Sequence, residues 1–275
     1  MDTSIDDKAT AFRLLHERPD GFIIPNPWDA GSARILAGLG FEALATTSGG
    51  LAYSLGRRDA QGLVTREEAL EHAGVIVQAT PLPVSGDLEN GFGDGPEAAA
   101  ETIRRAGEAG LVGGSIEDAT TRPEEPVYPL AQAVERVTAA VEAARSLPFA
   151  FTLTARAENY LYGRRDLAET IARLQAFEAA GADVLYAPGL RRLEDIQAVC
   201  KAVSRPVNVL ALRGGPSVAE LVAAGARRVS LGSNLARAAL AALVRGATEL
   251  REHGTLGFLD DVTAAGDLDQ FMLGR

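Results

Sequence analysis

Cysteine is all but missing from this 275-residue chain. The one thiol, Cys200, leaves no internal disulfide to form and excludes a cysteine-built zinc site. It falls late in a helical stretch and reads as structural. Histidine is nearly as scarce. His16, His72 and His253 lie on helices or near a helix end, so none is placed for catalysis at the end of a strand. Aromatic residues make up only 5%, and alanine-rich helices take their place. Positive charge is outweighed: the net charge is −10, which argues against nucleic acid or an anionic membrane as a partner. No apolar run reaches membrane-spanning length. Met1-Asp2-Thr3-Ser4-Ile5-Asp6-Asp7 has none of the features of a signal peptide. The expectation is a soluble, cytoplasmic protein. An anionic substrate would need a local arginine or a metal to overcome its field.

What is present has a strong rhythm. The length suits one large domain or two small ones, and α/β barrels commonly have it. A helix is predicted over 5–17, with Ala11, Leu14 and Leu15 as its apolar positions. A strand follows at 22–26, and Asp29 is placed to cap the helix opened by Trp28–Ala33. Then a unit recurs, in which a helix ends in a small-residue cap and a strand follows at once. The caps are Leu39-Gly40, Ala109-Gly110, Ala180-Gly181 and Ala224-Gly225. Glycine suits each, because it reaches the left-handed conformation that ends a helix. Strands are predicted at 41–47, 83–88, 111–117, 148–155, 182–187, 206–211 and 227–231. Helices are predicted at 66–79, 96–109, 130–145, 166–180, 192–203 and 217–224. Thr65-Arg66-Glu67-Glu68 is a capping box.

Eight strands alternating with helices predict a (β/α)8 TIM barrel in a single α/β domain over 1–275. An open doubly wound sheet is the alternative. It is disfavoured by the lack of a Gly-x-Gly-x-x-Gly run after the first strand. The helix at 5–17 is extra to such a barrel. So is a helical extension over 233–275, where a helix at 233–252 carries an apolar stripe of Leu235, Ala238, Ala239, Ala242 and Leu243. That stripe packs either on its own barrel or on a partner subunit.

In a parallel barrel, the carboxyl ends of the strands share one mouth, and active sites lie there. Strand two ends in Ser48-Gly49-Gly50, either an anion-binding nest or a plain turn. Strand three ends in Asp87 and Glu89, which share a face at strand period. Glycines 91 and 93 follow, giving the backbone room to turn. Strand four ends in Glu117, strand five in Arg156-Ala157-Glu158-Asn159, and strand seven carries Asn208. Three carboxylates in one mouth repel unless a cation lies among them, and Mg²⁺ takes oxygen ligands. Alternatively Asp87 and Glu89 are solvated, and Glu117 is the ion-pair partner of Arg156. Arg156 could clamp a substrate carboxylate in bidentate fashion or simply neutralise the acids. Asn208 could contact substrate or serve the fold alone.

Together these residues resemble the isocitrate lyase and phosphoenolpyruvate mutase superfamily. The carriers are Asn26-Pro27-Trp28-Asp29-Ala30-Gly31-Ser32-Ala33, Thr47-Ser48-Gly49 and Gly56-Arg57-Arg58-Asp59. Asp87-Leu88-Glu89-Asn90-Gly91-Phe92-Gly93, Ile116-Glu117-Asp118 and Ala155-Arg156 follow in order. The likeness runs over roughly residues 10–245. It implies a barrel that binds Mg²⁺ or Mn²⁺ and a small 2-oxo or 2-hydroxy carboxylate. It also implies a homodimer or homotetramer whose C-terminal helix swaps between subunits. By that resemblance Asp87 binds the metal directly, and Glu89 and Glu117 hold it, largely through waters. Asp59 supports the site. Ser48, Gly49 and Gly50 hold the substrate's carboxylate and 2-oxygen, and Arg156 faces the substrate.

Two departures stand out. The family usually has Asp at the position of Glu89. Its isocitrate lyases carry a Lys-Lys-Cys-Gly-His segment after strand four, and its phosphoenolpyruvate mutases a Lys-Thr-Asn segment. This chain reads Asp118-Ala119-Thr120-Thr121-Arg122-Pro123-Glu124-Glu125-Pro126-Val127-Tyr128 there. Tyr128, Arg122 and Glu124 become the candidates for proton handling on a mobile loop. The expected function is a metal-dependent lyase that cleaves a carbon–carbon bond in a small acid through an enolate. The alternatives are phosphonate P–C chemistry and a non-catalytic 2-oxo-acid binding protein.

Overall fold

The computed structural model describes residues 3–273. Eight strands alternate with helices: β1 (Phe22–Ile24), β2 (Leu44–Ala45), β3 (Val84–Asp87), β4 (Gly113–Glu117), β5 (Thr152–Arg156), β6 (Val184–Tyr186), β7 (Val207–Leu210) and β8 (Arg228–Ser230). All neighbours are parallel, in the order β1-β8-β7-β6-β5-β4-β3-β2. Where β1 and β2 meet, the Ala45 N–H donates to the Pro25 carbonyl at 3.1 Å. Asn26 Nδ2 donates to the Thr46 carbonyl at 3.0 Å beside it. The sheet is thus nearly closed into a TIM-like barrel.

Local chemistry explains the punctuation. The helices α1 (Ile5–Glu17), α2 (Ala30–Gly38), α4 (Arg66–Ala79) and α9 (Val218–Ala223) all open on capping boxes, at Ser4, Asp29, Thr65 and Ser217. The glycines that end α2, α5 (Pro96–Glu108), α7 (Leu167–Ala179) and α9 have φ of +87° at Gly40, +88° at Gly110, +98° at Gly181 and +114° at Gly225. The strands are shorter than their apolar runs. The predicted strand 41–47 narrows to Leu44–Ala45, because Thr47 caps a helix unforeseen in the sequence, α3 (Ser48–Ser54). The strand 83–88 stops at Asp87, since Glu89 takes a left-handed φ of +47°.

The main core lies outside the barrel wall. Leu44, Val84, Leu88 and Leu153 meet Ile103 and Ala106 of α5 on one side. Leu185, Val207, Val209 and Val229 meet Leu174 of α7 and Ile196 of α8 (Leu193–Ala202) on the other. Apart from Ile24 and Leu210, the interior positions are mostly not the branched aliphatics usual in such barrels. Ser85, Ser115, Thr154, Asn208, Arg228 and Ser230 are polar and buried.

Helix α1 closes the amino-terminal end of the barrel. Phe12 and Leu15 pack with Phe22, Ile24 and Val112. The His16 ring stands edge-on to Phe12 and Phe22, at 4.8 and 5.0 Å. Of the apolar positions predicted for this helix, Leu15 is buried, whereas Ala11 and Leu14 face solvent. The face that matters is the one carrying Phe12 and His16.

Beyond β8, α10 (Asn234–His253) leaves the barrel after its first turn. Leu235 packs on the core and Ala236 is buried. Leu240, Leu243 and Val244 are then 41%, 65% and 64% exposed. Of the two readings of the stripe, packing on its own barrel holds at Leu235, whereas Ala238, Ala239, Ala242 and Leu243 are exposed in the single chain. A 3₁₀ turn at Gly257–Asp261 folds back on α10, with Phe258 against Gly246. Helix α11 (Ala265–Met272) returns to α2, where Arg34 donates to the Met272 carbonyl.

Candidate active site

A cavity of about 350 Å³ opens at the carboxyl ends of the strands. Its wall includes Ser48, Gly49, Asp59, Asp87, Arg156 and Asn208. Six of the residues singled out from the sequence therefore come together. Gly50, Glu89, Glu117 and Tyr128 do not line this cavity.

Arg156, at the end of β5, is the hub. Its Nη1 meets Asp87 Oδ1 at 2.8 Å, and its Nη2 meets Glu117 Oε2 at 3.0 Å. Its Nη2 and Nε also reach Glu158 Oε1, at 2.8 and 2.9 Å. Every nitrogen of this guanidinium is already on a carboxylate, and the side chain is only 13% exposed. It stacks 5.2 Å above the Tyr186 ring, its register partner on β6. The sequence named Glu117 as a possible partner but missed Glu158. The signal was there: Glu158 lies two residues past Arg156.

Asp87 is held from the other side as well. Its Oδ2 accepts the Ser48 N–H at 2.9 Å, and its own N–H donates to Thr46 Oγ1 at 2.8 Å. Ser48 thus opens α3 rather than a turn or nest. Gly49 and Gly50 are required by close approach. A Cβ on Gly49 would stand 2.6 Å from Asp59 Oδ2, and one on Gly50 would stand 2.6 Å from Thr47 Cγ2. Glu89 reaches this group only through space. It lines a neighbouring hollow with Arg66, Asn90 and Asp94.

The electrostatics follow from burial and crowding. Burial, then the charge of Asp87, pushes the Glu89 carboxyl up to about 7. The same two causes raise Asp59. Burial drives Glu117 well above the usual carboxylate range, with Arg156 opposing. Burial also raises Glu158, again against Arg156. Five carboxylates here face one clustered guanidinium, a surplus that protons or a cation must offset. No three of them lie close enough to ligate one ion directly, among the described residues. The donor set suits a hard cation held by one or two carboxylates and otherwise by water, as Mg²⁺ prefers. Ala60, Glu89 and Phe92 are the non-glycine residues with positive φ among those described. Strained backbone of this kind collects at functional sites, and Ala60 and Glu89 adjoin or belong to this carboxylate group.

The loop after β4 is not a free arm. Ala119 and Val127 form a bridge, and the Tyr128 N–H donates to the Asp118 carbonyl at 2.8 Å. Tyr128 is buried, with its hydroxyl donating to Asp94 Oδ1 at 2.5 Å. Arg136 of α6 (Leu130–Arg145) lies over its ring at 4.5 Å and binds the carbonyls of residues 90, 93, 94 and 95. Arg122 also pairs with Asp94. The expectation of Tyr128 on a mobile loop at the reacting centre gives way to a folded loop that ties down the segment after β3. Behind it, Asp118 accepts the Glu158 N–H at 2.7 Å and pairs with Arg173 at 2.9 Å.

The described residues hold no helix long and apolar enough to cross a membrane. A family model described as phosphoenolpyruvate phosphomutase matches residues 12–251. A Burkholderia cenocepacia structure, provisionally described as a lyase or mutase, is 58% identical. It superposes with a TM-score of 0.94, over 97% of this chain and 96% of that one. An uncharacterized protein of Mycobacterium tuberculosis is 31% identical, over 81% of this chain and 82% of its own. An oxaloacetate decarboxylase of Chromohalobacter salexigens is 30% identical, over 81% of this chain and 78% of its own.

Proposed function

This chain belongs to the phosphoenolpyruvate mutase and isocitrate lyase superfamily, and from that membership we propose that it is a Mg²⁺-dependent lyase. Its substrate is a small 2-oxo or 2-hydroxy carboxylic acid in which it breaks a carbon–carbon bond. The observation that carries this reading is the surplus of carboxylates at the barrel mouth, where Asp59 and Glu89 add to the Asp87, Glu117 and Glu158 that already surround Arg156. The similarity to an oxaloacetate decarboxylase favours decarboxylation among the possible cleavages.

Asp87 is the residue that would touch the metal, with Glu89, Glu117 and Asp59 acting through waters. Bound there, Mg²⁺ would supply Lewis acidity toward the substrate's carboxylate and adjacent oxygen. The chain's own residues do the positioning. Asp87 is held between the Arg156 guanidinium and the Ser48 N–H. The Gly50 N–H is taken by Thr47 Oγ1, which leaves the Gly49 N–H on the cavity wall for the substrate carboxylate. When the bond to the departing carboxyl breaks, its electron pair stays on C3 and delocalises as an enolate. A proton must then return to that carbon. Neither Tyr128 nor Cys200 is placed for it, since one is locked to Asp94 and the other lies on α8. The description of the matching family keeps one second reading, cleavage of a phosphonate P–C bond.

Calorimetry with pyruvate and a 2-oxo diacid, with Mg²⁺ and with chelator, tests the metal. Binding should require Mg²⁺ and vanish in Asp87→Ala. Release of CO₂ from oxaloacetate, set beside phosphate release from phosphonopyruvate, separates the two reactions. Equal affinity in chelator would overturn the reading.

A further inference from the structure

The cavity has a second guanidinium, and it is organised quite differently. Arg228 stands on β8, two residues before Ser230, and its side chain forms part of the cavity floor. The residue is 5% exposed. Its Nε donates to Asn208 Oδ1 at 2.9 Å, and its Nη2 donates to Thr154 Oγ1 at 3.0 Å. Its Nη1 meets His16 Nε2 at 3.2 Å. His16 Nδ1 lies 2.8 Å from the Phe12 carbonyl. That nitrogen therefore carries the proton, and Nε2 is the acceptor. Asn208 is fixed in turn by donating Nδ2 to Ser230 Oγ at 2.9 Å.

All three partners are neutral. An arginine has five N–H donors, and these bonds use three, leaving one on Nη1 and one on Nη2. A buried charge is costly unless it is paired. Arg156, in the same cavity, is surrounded by three carboxylates, whereas Arg228 has none among its partners. The two guanidinium groups also repel. The fold has built a rigid, desolvated cation and left its counter-charge to something that enters.

We propose that Arg228 is the anion-binding residue for a second acidic group of the substrate, so that the site selects small diacids over monoacids. This rests on the reading of the cavity as a 2-oxo or 2-hydroxy acid site. One carboxylate and its neighbouring oxygen would lie at the mouth, by the Gly49 N–H and the cation that Asp87 would hold. The other carboxylate descends to the two open N–H groups of Arg228. Arg156 is excluded from that role by its own acids.

The test is calorimetry in saturating Mg²⁺ with two matched pairs of acids. One pair is malate and 2-hydroxybutyrate, and the other is 2-oxoglutarate and 2-oxopentanoate. The wild type should prefer at least one diacid by about tenfold or more, the scale of a charge-assisted pair. Arg228→Gln keeps a donor for Asn208 and should erase that preference, while the monoacid affinity stays within about twofold. Arg228→Lys keeps the charge but loses the fork, and should retain part of the preference. A structural role alone would lower the melting temperature of Arg228→Gln and leave the diacid preference intact, which would overturn the proposal. So would a wild type with no diacid preference. Acids that bind equally well in chelator would instead overturn the metal-site reading, and the proposal with it.

Discussion

His16 makes the behaviour of this fold in mild acid predictable. The imidazole is buried beneath the barrel, beside a guanidinium, and its Nε2 must stay unprotonated to accept from Arg228. Burial first, and Arg228 second, bring its pKa from 6.5 to about 3. In the unfolded chain the same ring takes a proton near its ordinary value. A group depressed in this way gives stability that is complete above about pH 6.5 and is lost as pH falls toward 3. Tenfold in proton affinity is worth about 1.4 kcal/mol, so the ceiling is about 5 kcal/mol. Most of it lies below the useful range. Between pH 8 and pH 5 the loss from His16 alone is about 2 kcal/mol. Half-buried Glu89 and Glu117 and buried Asp118 work in the opposite sense, because their raised pKa values favour the folded state in acid. The comparison must isolate the histidine. His16→Gln keeps an acceptor for Arg228 and cannot titrate. Urea unfolding of both proteins at pH 8, 6 and 5 should show the wild type losing about 2 kcal/mol more than the variant. Parallel loss in the two would refute the account of a neutral, acceptor His16.

Four further outcomes are expected. Tyr128→Phe removes a buried hydroxyl from Asp94 and should cost about 1–3 kcal/mol of stability with turnover largely kept. A fall of about 10²-fold or more in kcat would return that hydroxyl to the chemistry. Gly49→Ala drives a methyl against Asp59 and should destabilise by about 1–3 kcal/mol, read from the melting transition; an unchanged melting temperature would mean that the helix start yields. Light scattering should show a dimer or tetramer, since α10 presents Leu240, Leu243 and Val244 to solvent in the single chain, and a monomer at micromolar concentration would contradict it. Isocitrate should turn over far below the ordinary enzyme rate of about 10 s⁻¹, because the loop at 118–128 has no cysteine.

Features written in short stretches of chain were legible. The four glycine caps, the capping box at Thr65 and the N-cap at Asp29 need only their neighbours, and they fell where predicted. Asp87, Arg156 and Ser48 were legible as strand-end polar residues, because parallel strands send those ends to one mouth. What failed depended on contacts across the fold. Period two broke at Glu89, where the backbone turns left-handed. Nothing local in Tyr128 reveals that Asp94 and Arg136 will hold it. The pairing of Glu117 with Arg156 was among the readings, and the register sets the two opposite each other, but the hold of Glu158 on the same guanidinium was missed. His16 and Arg228 stand 212 residues apart. Arg228 sits inside a predicted strand, where an aliphatic was the natural expectation.

The placement of α1 has a topological consequence. Phe12, Leu15 and His16 close the barrel from beneath, and a separate hollow lined by His16, Arg13 and Arg145 lies on their far side. Beneath the cavity floor, this helix and the barrel's own Phe22, Ile24 and Val112 form one packed plug. A chain beginning at Phe22 would retain all eight strands and all five carboxylates. It would lose the imidazole under Arg228, and water could then reach the floor from below. What is now a sealed base would rest on Phe22, Ile24 and Val112 alone.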